Sequence, residues 1–350
     1  MRIGYSFWGF LGPGVTDTPD GGRSHRRPLL DALEEQGHQL VLLQPNRDLL
    51  EAGDQVGGRY RFDAGLPPID ALVLEWRWPI AGRNTTACGA PNHTCDLHRQ
   101  AELLLHYTEH QGIPTVLWDK DRKLPADDPL RARPAVAVCE AALNPTPGAH
   151  RLLFPVEDRV LDAADPQHLA KADRPITLAY VGNQYERDEA FDAHFAPAAR
   201  RLDHLVAGKW SDTSRWPGLN FRGRVPFPQV QQIHAQALAT MLLLPDRYAR
   251  AGQITQRIFE AVLAGCLPLA PTGICRIEQV VPQVLRVRGG SDAADRLAWL
   301  RSIAGTDEHA DLLAACIEHL TVFRLSTQVA ALDRVLRELA DAHPGGGNSA

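Results

Sequence analysis

The segment from Thr255 to Leu269 carries the residue types and spacing that point most directly to ligand chemistry. At helical spacing one arc of it is apolar, and the opposite arc is polar at its start and small-sided further on. Gly265 is predicted to end the helix, and a short buried strand follows it. The apolar arc holds Ile258, Phe259, Val262 and Leu263, and the opposite arc holds Gln256, Arg257, Glu260, Ala261 and Ala264.

A helix with such a face lets a ligand lie close along it. The free N–H groups and the positive dipole end of its first turn suit a phosphate. A carboxylate one turn further on, Glu260, suits the two hydroxyls of a ribose. The alternative is an ordinary amphipathic helix with a surface ion pair between Arg257 and Glu260.

Other residues in the second half of the chain add to this pattern. A glycine and an asparagine end one predicted strand, two arginines flank a turn, and a polar stretch leads into the helix. Several donors and a cation are what a diphosphate needs. The predicted donor-binding residues are Gly182, Asn183, Arg222, Arg224, Gln253, Thr255, Gln256, Arg257 and Glu260.

The first half holds candidates for acid–base work. A reaction that activates a hydroxyl group needs one general base near that hydroxyl. Glu75 and Asp119 end predicted parallel strands, and Asp20 and His25 lie in or near a Gly-rich loop. Asp17 and Asp121 are further candidates, although Glu75 and Asp119 could instead pair with Arg77 or Lys120.

The Gly-rich loop from Gly9 to Gly22 is predicted to face the ligand from the other half of the chain. Its glycines allow close backbone approach, and Arg23 follows at the start of a helix. The predicted acceptor or phosphate loop comprises Gly12, Gly14, Gly21, Gly22 and Arg23. The alternative is a flexible loop before a capped helix. Trp76, Trp78 and Trp118 could stack on a sugar or a base, although packing is their more common role.

Cysteines and histidines alternate in one polar loop, at Cys88, His93, Cys95 and His98. Two thiols and two imidazoles are a ligand set for structural zinc, but this spacing matches no standard zinc motif. No bound metal is the expectation, with a zinc site and a loop disulfide as alternatives. The other cysteines lie in apolar or helical contexts that predict buried free thiols.

Strands and helices alternate along the chain, which predicts an α/β protein with parallel sheets. In the first half, strands are predicted at 2–7, 40–43, 69–75, 114–118 and 135–139, with helices at 24–36 and 97–111. In the second half, strands are predicted at 176–181, 219–222, 240–244, 267–269 and 283–287, with helices at 186–202, 228–237 and 291–303. From residue 310 to 342 the chain is predicted to be almost wholly helical.

The alternation predicts two Rossmann-like domains. The first covers residues 1–150, a Pro- and Asp-rich linker covers 151–175, the second domain with its terminal helices covers 176–342, and 343–350 is predicted to be a disordered tail. In such sheets, ligands bind at the carboxyl ends of the strands.

The composition is that of a soluble globular protein. The chain has 350 residues and a formal net charge of −5. It shows no long basic run, no secretory leader and no apolar run long enough to cross a bilayer. These features predict a cytoplasmic protein without a membrane partner and argue against unspecific binding to duplex DNA; the oligomeric state stays open.

The segment from Arg257 to Cys266 is similar to the donor-binding helix of retaining GT-B glycosyltransferases and of the spore-maturation glycosyltransferase-like, family 4-like group. The two-domain pattern also resembles the GT-B fold, in which two Rossmann-like domains face a central cleft. The resemblance implies that Glu260 holds the ribose and that residues 253–257 hold the diphosphate. Members with a two-glutamate motif carry an acid where this chain has Gly252, so neither the sugar nor the stereochemical course carries over.

The resemblance implies a nucleotide sugar, of the UDP or GDP type, as co-substrate. No metal is required, because no Asp-x-Asp motif follows a strand of the second half. The acceptor is a small molecule, a glycan or a nucleic-acid base. Alternatives are a nucleotide-sugar epimerase or a phosphorylase of the same shape, a DNA- or nucleoside-modifying glycosyltransferase, and a non-catalytic two-lobed binding protein.

Overall fold

The computed structural model describes residues 1–12, 22–53, 56–81, 84–86, 90 and 95–342, and of Arg23 only the backbone. The described chain forms two compact units. The first contains the residues up to Pro155 together with the helix Leu325–Ala342, and the second spans Val156–Arg324. The sequence analysis placed that last helix in the second domain, whereas its contacts lie in the first unit, where it packs on the helix Arg23–Glu35.

The first unit is built on a seven-stranded, wholly parallel sheet. Its strand order is β3-β2-β1-β4-β5-β6-β7, so the direction of progression reverses between β1 and β4. The strands are β1 Arg2–Ser6, β2 Gln39–Leu42, β3 Arg61–Phe62, β4 Ala71–Glu75, β5 Thr115–Asp119, β6 Val136–Glu140 and β7 His150–Arg151.

The central strands of this sheet read as apolar runs because helices cover both of their faces. Every residue of β4 and β5 is buried. The helices of the first unit are α1 Arg23–Glu35, α2 Arg47–Ala52, α3 Asp96–Leu103, which continues as a π-helical segment to His110, and the terminal helix Leu325–Ala342.

The second unit repeats the design with a six-stranded parallel sheet. Its order is β10-β9-β8-β11-β12-β13, and its reversal lies between β8 and β11. The strands are β8 Ile176–Val181, β9 His204–Ala207, β10 Phe221–Gly223, β11 Ala237–Met241, β12 Leu267–Pro271 and β13 Arg286–Val287.

Helices connect these strands and extend into the segment predicted as linker. Two short helices, α4 and α5, lie there, and α5 packs on α12. The helices are α4 Asp158–Asp162, α5 Pro166–Ala170, α6 Asp188–Ala190, α7 Ala196–Ala199, α8 Phe227–Gln236, α9 Asp246–Ala251, α10 Arg257–Leu263, α11 Gly290–Ile303 and α12 Asp307–His319; the terminal helix is α13.

The two parallel sheets with surrounding helices confirm the predicted α/β class. The sequence analysis missed β9, because four residues are too few for a periodic signal. β11 begins at Ala237, three residues before the predicted start, where the predicted helix still ran. Among the described residues, no helix combines the length and the apolar character needed to cross a membrane.

Helix α10 ends at the glycine that the sequence predicts, but the burial of two of its side chains differs from the prediction. Gly265 has a φ of +79°, and its N–H donates to the carbonyl of Val262. Ala261, predicted on the outward arc, is fully buried, and Leu263, predicted on the apolar arc, is only partly so. Ala261 packs among residues of β8 and α8, because the helix lies against both.

Gly265 also makes room for a side chain that closes three helix ends. Arg174 donates from its guanidinium to carbonyls of α5, α8 and α10, among them those of Leu169, His234 and Ala264. A Cβ atom at Gly265 would lie 2.0 Å from Nη2 of Arg174. Gly265 therefore allows both the left-handed turn and the hydrogen bonds from Arg174 to the carbonyl groups.

This arrangement predicts that Gly265→Ala is more destabilising than a matched glycine substitution. Gly305 has nearly the same φ, +80°, but nothing within 4 Å of its Cβ position. Gly305→Ala is expected to cost about 1 kcal/mol of unfolding free energy, the cost of left-handed backbone. Gly265→Ala is expected to cost at least about 2 kcal/mol more, because Arg174 must leave its carbonyls. Equal losses in urea unfolding would contradict the role given to Arg174.

Candidate functional site

The carboxyl ends of β8 and β11 form the point of the second unit where the strand order reverses. In open parallel sheets the crevice at such a reversal is the preferred place for a ligand. Gly182 follows β8 directly, and Leu242 follows β11. The helix α10, predicted to bind the ligand, contributes Arg257 to the same place.

The guanidinium of Arg257 packs on the backbone of Gly182. A Cβ atom at Gly182 would lie 3.1 Å from Cζ of Arg257 and 2.6 Å from the hydroxyl oxygen of Tyr180. Because any larger residue would displace both groups, the glycine at the end of β8 admits the arginine of α10. The structure thus brings together Gly182 and Arg257, two of the predicted donor-binding residues.

Among the described residues, none forms a hydrogen bond or an ion pair with Arg257 that would satisfy its charge. Its side chain is only partly exposed, and burial lowers the pKa of its guanidinium, although arginine keeps its charge at neutral pH. A half-buried cation without a partner is costly. Such a group is expected where an anion binds.

A second arginine, Arg187, lies close enough to repel Arg257. Its Nε donates to the carbonyl of Leu243 at 3.1 Å and its Nη1 to that of Tyr185 at 2.7 Å, which fixes it at the strand ends. Its charge is a further cause, after burial, of the lowered pKa of Arg257. The sequence analysis missed Arg187; an arginine shortly after the strand-ending glycine was the available signal.

The remaining residues of the predicted helix start lie around Arg257. Glu260 follows one turn later on the same helix, is partly exposed, and attracts the Arg257 charge. Gln256 is the residue before the first helical turn and is partly exposed. Gln253 is fully buried, and its N–H donates to the carbonyl of Tyr248. Thr255 is partly buried, and its hydroxyl has no partner in the described chain.

Three predicted donor-binding residues lie elsewhere. The Oδ1 of Asn183 accepts a hydrogen bond from the N–H of Lys209 at 2.8 Å, so this side chain is directed to the β9 loop. Arg222 belongs to the edge strand β10, and Arg224 follows it; both are exposed. Since β9 lies between β10 and β8, the structure does not place these arginines beside α10.

In the first unit, Glu75 ends β4 at the corresponding reversal and is buried in an ionic cluster. It accepts hydrogen bonds from Arg26 at 2.7 and 2.8 Å, from Lys120 and from the hydroxyl of Tyr5. Burial alone would raise the pKa of Glu75, but the charges of Arg26 and Lys120 outweigh it and hold that pKa well below its usual range. An ionised carboxylate with this many donors is a weak base.

Gly22 has the same function for Arg26 that Gly182 has for Arg257. A Cβ atom at Gly22, the residue before α1, would lie 2.5 Å from Nη2 of Arg26. The guanidinium of Arg26 also donates to the carbonyl of Phe10 and lies 4.4 Å from the ring centre of Phe7. Gly22 therefore supports the ionic cluster of Glu75.

The other predicted catalytic residues of this unit have structural contacts. Asp119 accepts hydrogen bonds from the N–H groups of Asp121, Lys123 and Leu124, and burial, which outweighs these bonds, raises its pKa to about 6. His25 is buried, with its ring centre 4.6 Å from that of Phe154 and 5.6 Å from that of Trp118.

The loop predictions are only partly within the described structure. The N–H of Gly12 donates to Asp48 at 2.7 Å, so the start of the loop is tied to α2. Trp118 is a core residue, and its indole donates to the carbonyl of Leu152. Predicted residues outside the described residues are Gly14, Asp17, Asp20, Gly21, Cys88 and His93, and the side chain of Arg23.

The loop predicted as an alternative zinc site also lies only partly within the described residues. Of the loop predicted as an alternative zinc site, the structure describes Cys95, exposed with a φ of +59°, and His98 on α3. Within the described part of the chain, no three His, Cys, Asp or Glu side chains cluster as metal ligands. Cys139, Cys266 and Cys316 are buried free thiols, as predicted, while Cys275 is only partly buried.

Comparison with known proteins found similarity at the level of structure. No protein-family model and no curated protein sequence matches the chain. T4 phage β-glucosyltransferase, solved in complex with UDP and Mn²⁺, superposes with a TM-score of 0.64 at 13% identity, covering 96% of this chain and 99% of that one. The chain has the GT-B fold.

Two further GT-B structures extend the comparison. AviGT4, a glycosyltransferase involved in avilamycin A biosynthesis, has a TM-score of 0.58 at 14% identity, with 97% of this chain and 98% of that one covered. Anabaena HepE in complex with UDP-glucose has a TM-score of 0.55 at 11% identity, with 97% and 100% covered. At these identities the similarity establishes the fold alone. The fold consists of two parallel sheets, each with a reversal in its strand order and with helices packed on its faces.

The ionic cluster of the first unit generates a stability prediction. Glu75→Gln is expected to cost about 3–5 kcal/mol of unfolding free energy, because it removes the buried carboxylate charge that Arg26 and Lys120 share. Glu51→Gln is the control, since Glu51 forms an ion pair with Arg47 on the surface of α2 and is expected to cost less than about 1 kcal/mol. Comparable losses in chemical denaturation would show that Glu75 does not hold the cluster together.

Proposed function

We propose that this protein is a glycosyltransferase that transfers a sugar from a nucleotide diphosphate sugar, and that the second unit binds the donor. One observation carries the proposal: Arg257, a half-buried cation without a partner among the described residues, lies beside Arg187 at the strand-order reversal of β8 and β11. The fold supports it, since T4 β-glucosyltransferase was solved with UDP and HepE with UDP-glucose.

Two neighbouring positive charges fit the chemistry of a diphosphate leaving group. Arg257 and Arg187 repel each other until an anion lies between or beside them, so a diphosphate relieves a cost that the free protein carries. When the bond between sugar and phosphate breaks, negative charge grows on the diphosphate. Cations fixed in place before the reaction stabilise that charge without reorganisation.

The ribose is assigned to Glu260 by the resemblance of its segment to the donor-binding helix of GT-B enzymes. Its position supports the assignment, because it lies one turn beyond Arg257 on the same helix and is partly exposed. The diphosphate and the ribose then lie in this order along α10. Membership in the spore-maturation-like, family 4-like group and the choice between UDP and GDP belong to the same proposal.

Three of the candidate bases of the first unit already have contacts within the protein. Glu75 is engaged by Arg26 and Lys120, and His25 packs between aromatic rings. Burial raises the pKa of Asp119 to about 6, but three backbone N–H groups hold its oxygens. Asp20 stays a prediction from the sequence. We propose that leaving-group stabilisation by the two arginines supplies most of the catalysis.

Arg257→Met is expected to weaken binding of UDP or GDP at least about tenfold, because it removes a charged hydrogen-bond partner of a diphosphate. Arg250→Met is the matched control: Arg250 lies on α9, is exposed and pairs with Asp246. The measurement is isothermal titration calorimetry of both nucleotides with all three proteins. Equal affinities for wild type and Arg257→Met would contradict the diphosphate assignment.

Glu260→Ala is expected to weaken nucleotide binding by about 1–3 kcal/mol, since the ribose hydroxyls lose a charged acceptor. A 2′,3′-dideoxy nucleotide should bind wild type and variant alike, because it has no ribose hydroxyls to lose. Glu318→Ala, an exposed residue of α12, controls for a loss of charge. An unchanged affinity for the ordinary nucleotide would overturn the role given to Glu260.

The reaction itself is tested by incubating UDP-glucose and GDP-sugars with duplex DNA, glycans and small hydroxylated acceptors, with and without Mn²⁺ or EDTA. A glycosyltransferase is expected to release nucleoside diphosphate only when a suitable acceptor is present. Turnover of the sugar without acceptor would instead indicate an epimerase, sugar phosphate formed with inorganic phosphate a phosphorylase, and tight binding without turnover a binding protein. Activity that survives EDTA would support the proposal that no metal is required.

A further inference from the structure

A small cavity is lined in part by Arg257. Its volume is about 20 Å³, and apolar residues of β8, β11 and β12 also line it. Five residues with polar side chains contribute to its lining: Tyr180, His234, Thr240, Thr255 and Arg257. This volume suits one water molecule.

Tyr180 lines this cavity, and its ring is held in place by other aromatic rings. The residue is 2% exposed, and its ring packs edge-on against Phe191, Phe195 and Trp210 at centre distances of 6.0–6.5 Å. Its hydroxyl lies beside Gly182 and, within the described chain, has no hydrogen-bond partner. A buried hydroxyl without a partner is costly, so a partner that is not part of the chain is expected.

His234 and Thr255 line the same cavity, and their buried side-chain polar atoms also have no hydrogen-bond partner in the described chain. His234 on α8 is 1% exposed, and neither of its ring nitrogens has a partner among the described residues; the same holds for the hydroxyl of Thr255. Burial first, and the charge of Arg257 second, lower the pKa of His234 to about 4. The imidazole is therefore neutral at physiological pH and provides one donor and one acceptor.

We propose that Tyr180, His234 and Thr255 are positioning residues for Arg257, and that they act through one water molecule held in the cavity that all four line. A water molecule forms up to four hydrogen bonds, and these four residues line the space together with Thr240. The guanidinium donates to the water, while the other three groups fix the water in place. The proposal rests on the proposed function in one respect: the guanidinium so positioned is the one that receives the diphosphate.

The same geometry couples His234 to whatever binds at Arg257. The ionisable groups that line the cavity with His234 are Tyr180 from β8 and Arg257 from α10. Glu260 acts on the charge of Arg257, β11 contributes no ionisable group, and Arg174 donates to the backbone carbonyl of His234. Removing the Arg257 charge, or neutralising it with an anion, favours the protonated imidazole. The pKa of His234 is therefore expected to rise in both cases.

The first experiment is an NMR titration of the full chain labelled at histidine, with the His234 signal assigned from His234→Gln. The pKa of His234 is expected to be lowest in the free wild type, higher in Arg257→Met, and higher again in wild type saturated with UDP-glucose, whose phosphates do not titrate near neutrality. His309, a buried histidine at the other end of the sheet, is the internal control and should not respond. A His234 pKa that is the same in Arg257→Met and wild type would overturn the proposal.

The second experiment is a double-mutant cycle on UDP-glucose affinity. Tyr180→Phe and Thr255→Val each remove one hydroxyl, and each is expected to weaken UDP-glucose binding about three- to tenfold. Because both hydroxyls act on one water molecule, the loss of affinity in the double variant is expected to be smaller than the product of the two single losses. His234→Gln should retain more affinity than His234→Leu, and the surface change Thr321→Val should have no effect. Independent, multiplicative losses, or no loss at all, would contradict the water-held arrangement.

The two experiments separate this proposal from the proposed function. If UDP-glucose does not bind to wild type, the glycosyltransferase assignment fails, while the comparison of free wild type with Arg257→Met still decides whether the cavity couples His234 to Arg257. If UDP-glucose binds and none of the cavity variants changes its affinity, the function stands and the positioning role is refuted.

Discussion

The contact between the guanidinium of Arg257 and the backbone of Gly182 connects the separate parts of the second unit. It joins the helix α10 to the end of β8, where a Cβ atom at Gly182 would lie 2.6 Å from the hydroxyl oxygen of Tyr180 and 3.1 Å from Cζ of Arg257. The parallel sheet supplies the place, since its strand order reverses there. Arg187 adds a second fixed charge at the same strand ends. The proposed donor chemistry depends on this contact because it holds a cation that has no hydrogen-bond partner among the described residues.

The first unit also places an arginine against a glycine, but there the arginine is paired with a carboxylate. Gly22 admits Arg26 as Gly182 admits Arg257, and both arginines lie near the point where the strand order of their sheet reverses. Arg26, however, is paired with a fully buried glutamate, Glu75, which Lys120 also contacts. Its charge is therefore satisfied within the protein, and the cluster stabilises the fold. The two arginines therefore differ in their pairing. Arg26 has a hydrogen-bonded carboxylate, whereas no described residue forms such a bond with Arg257, whose charge Glu260 attracts from one turn away.

Much of the fold could be predicted from the sequence, because apolar runs alternating with helical periods are a strong signal for a parallel α/β architecture. The end of α10 at Gly265 was predictable for the same reason, since a glycine after an amphipathic helix favours a left-handed turn. β9 was not, because its four residues carry no period, and without it the edge position of Arg222 could not be foreseen. Arg187 was missed because a buried arginine bonded to carbonyls resembles an ordinary surface arginine in sequence. The grouping of α13 with the first unit depends on long-range packing that local patterns do not contain.

The central claim is that Arg257 receives the diphosphate of a nucleotide sugar. A crystal structure of the protein with bound UDP or UDP-glucose tests it most directly. The account predicts that oxygens of the diphosphate lie within hydrogen-bond distance of the Arg257 guanidinium at the carboxyl ends of β8 and β11, with the ribose beside Glu260. A nucleotide bound with its phosphates away from Arg257, while that guanidinium keeps its place over Gly182, would contradict it.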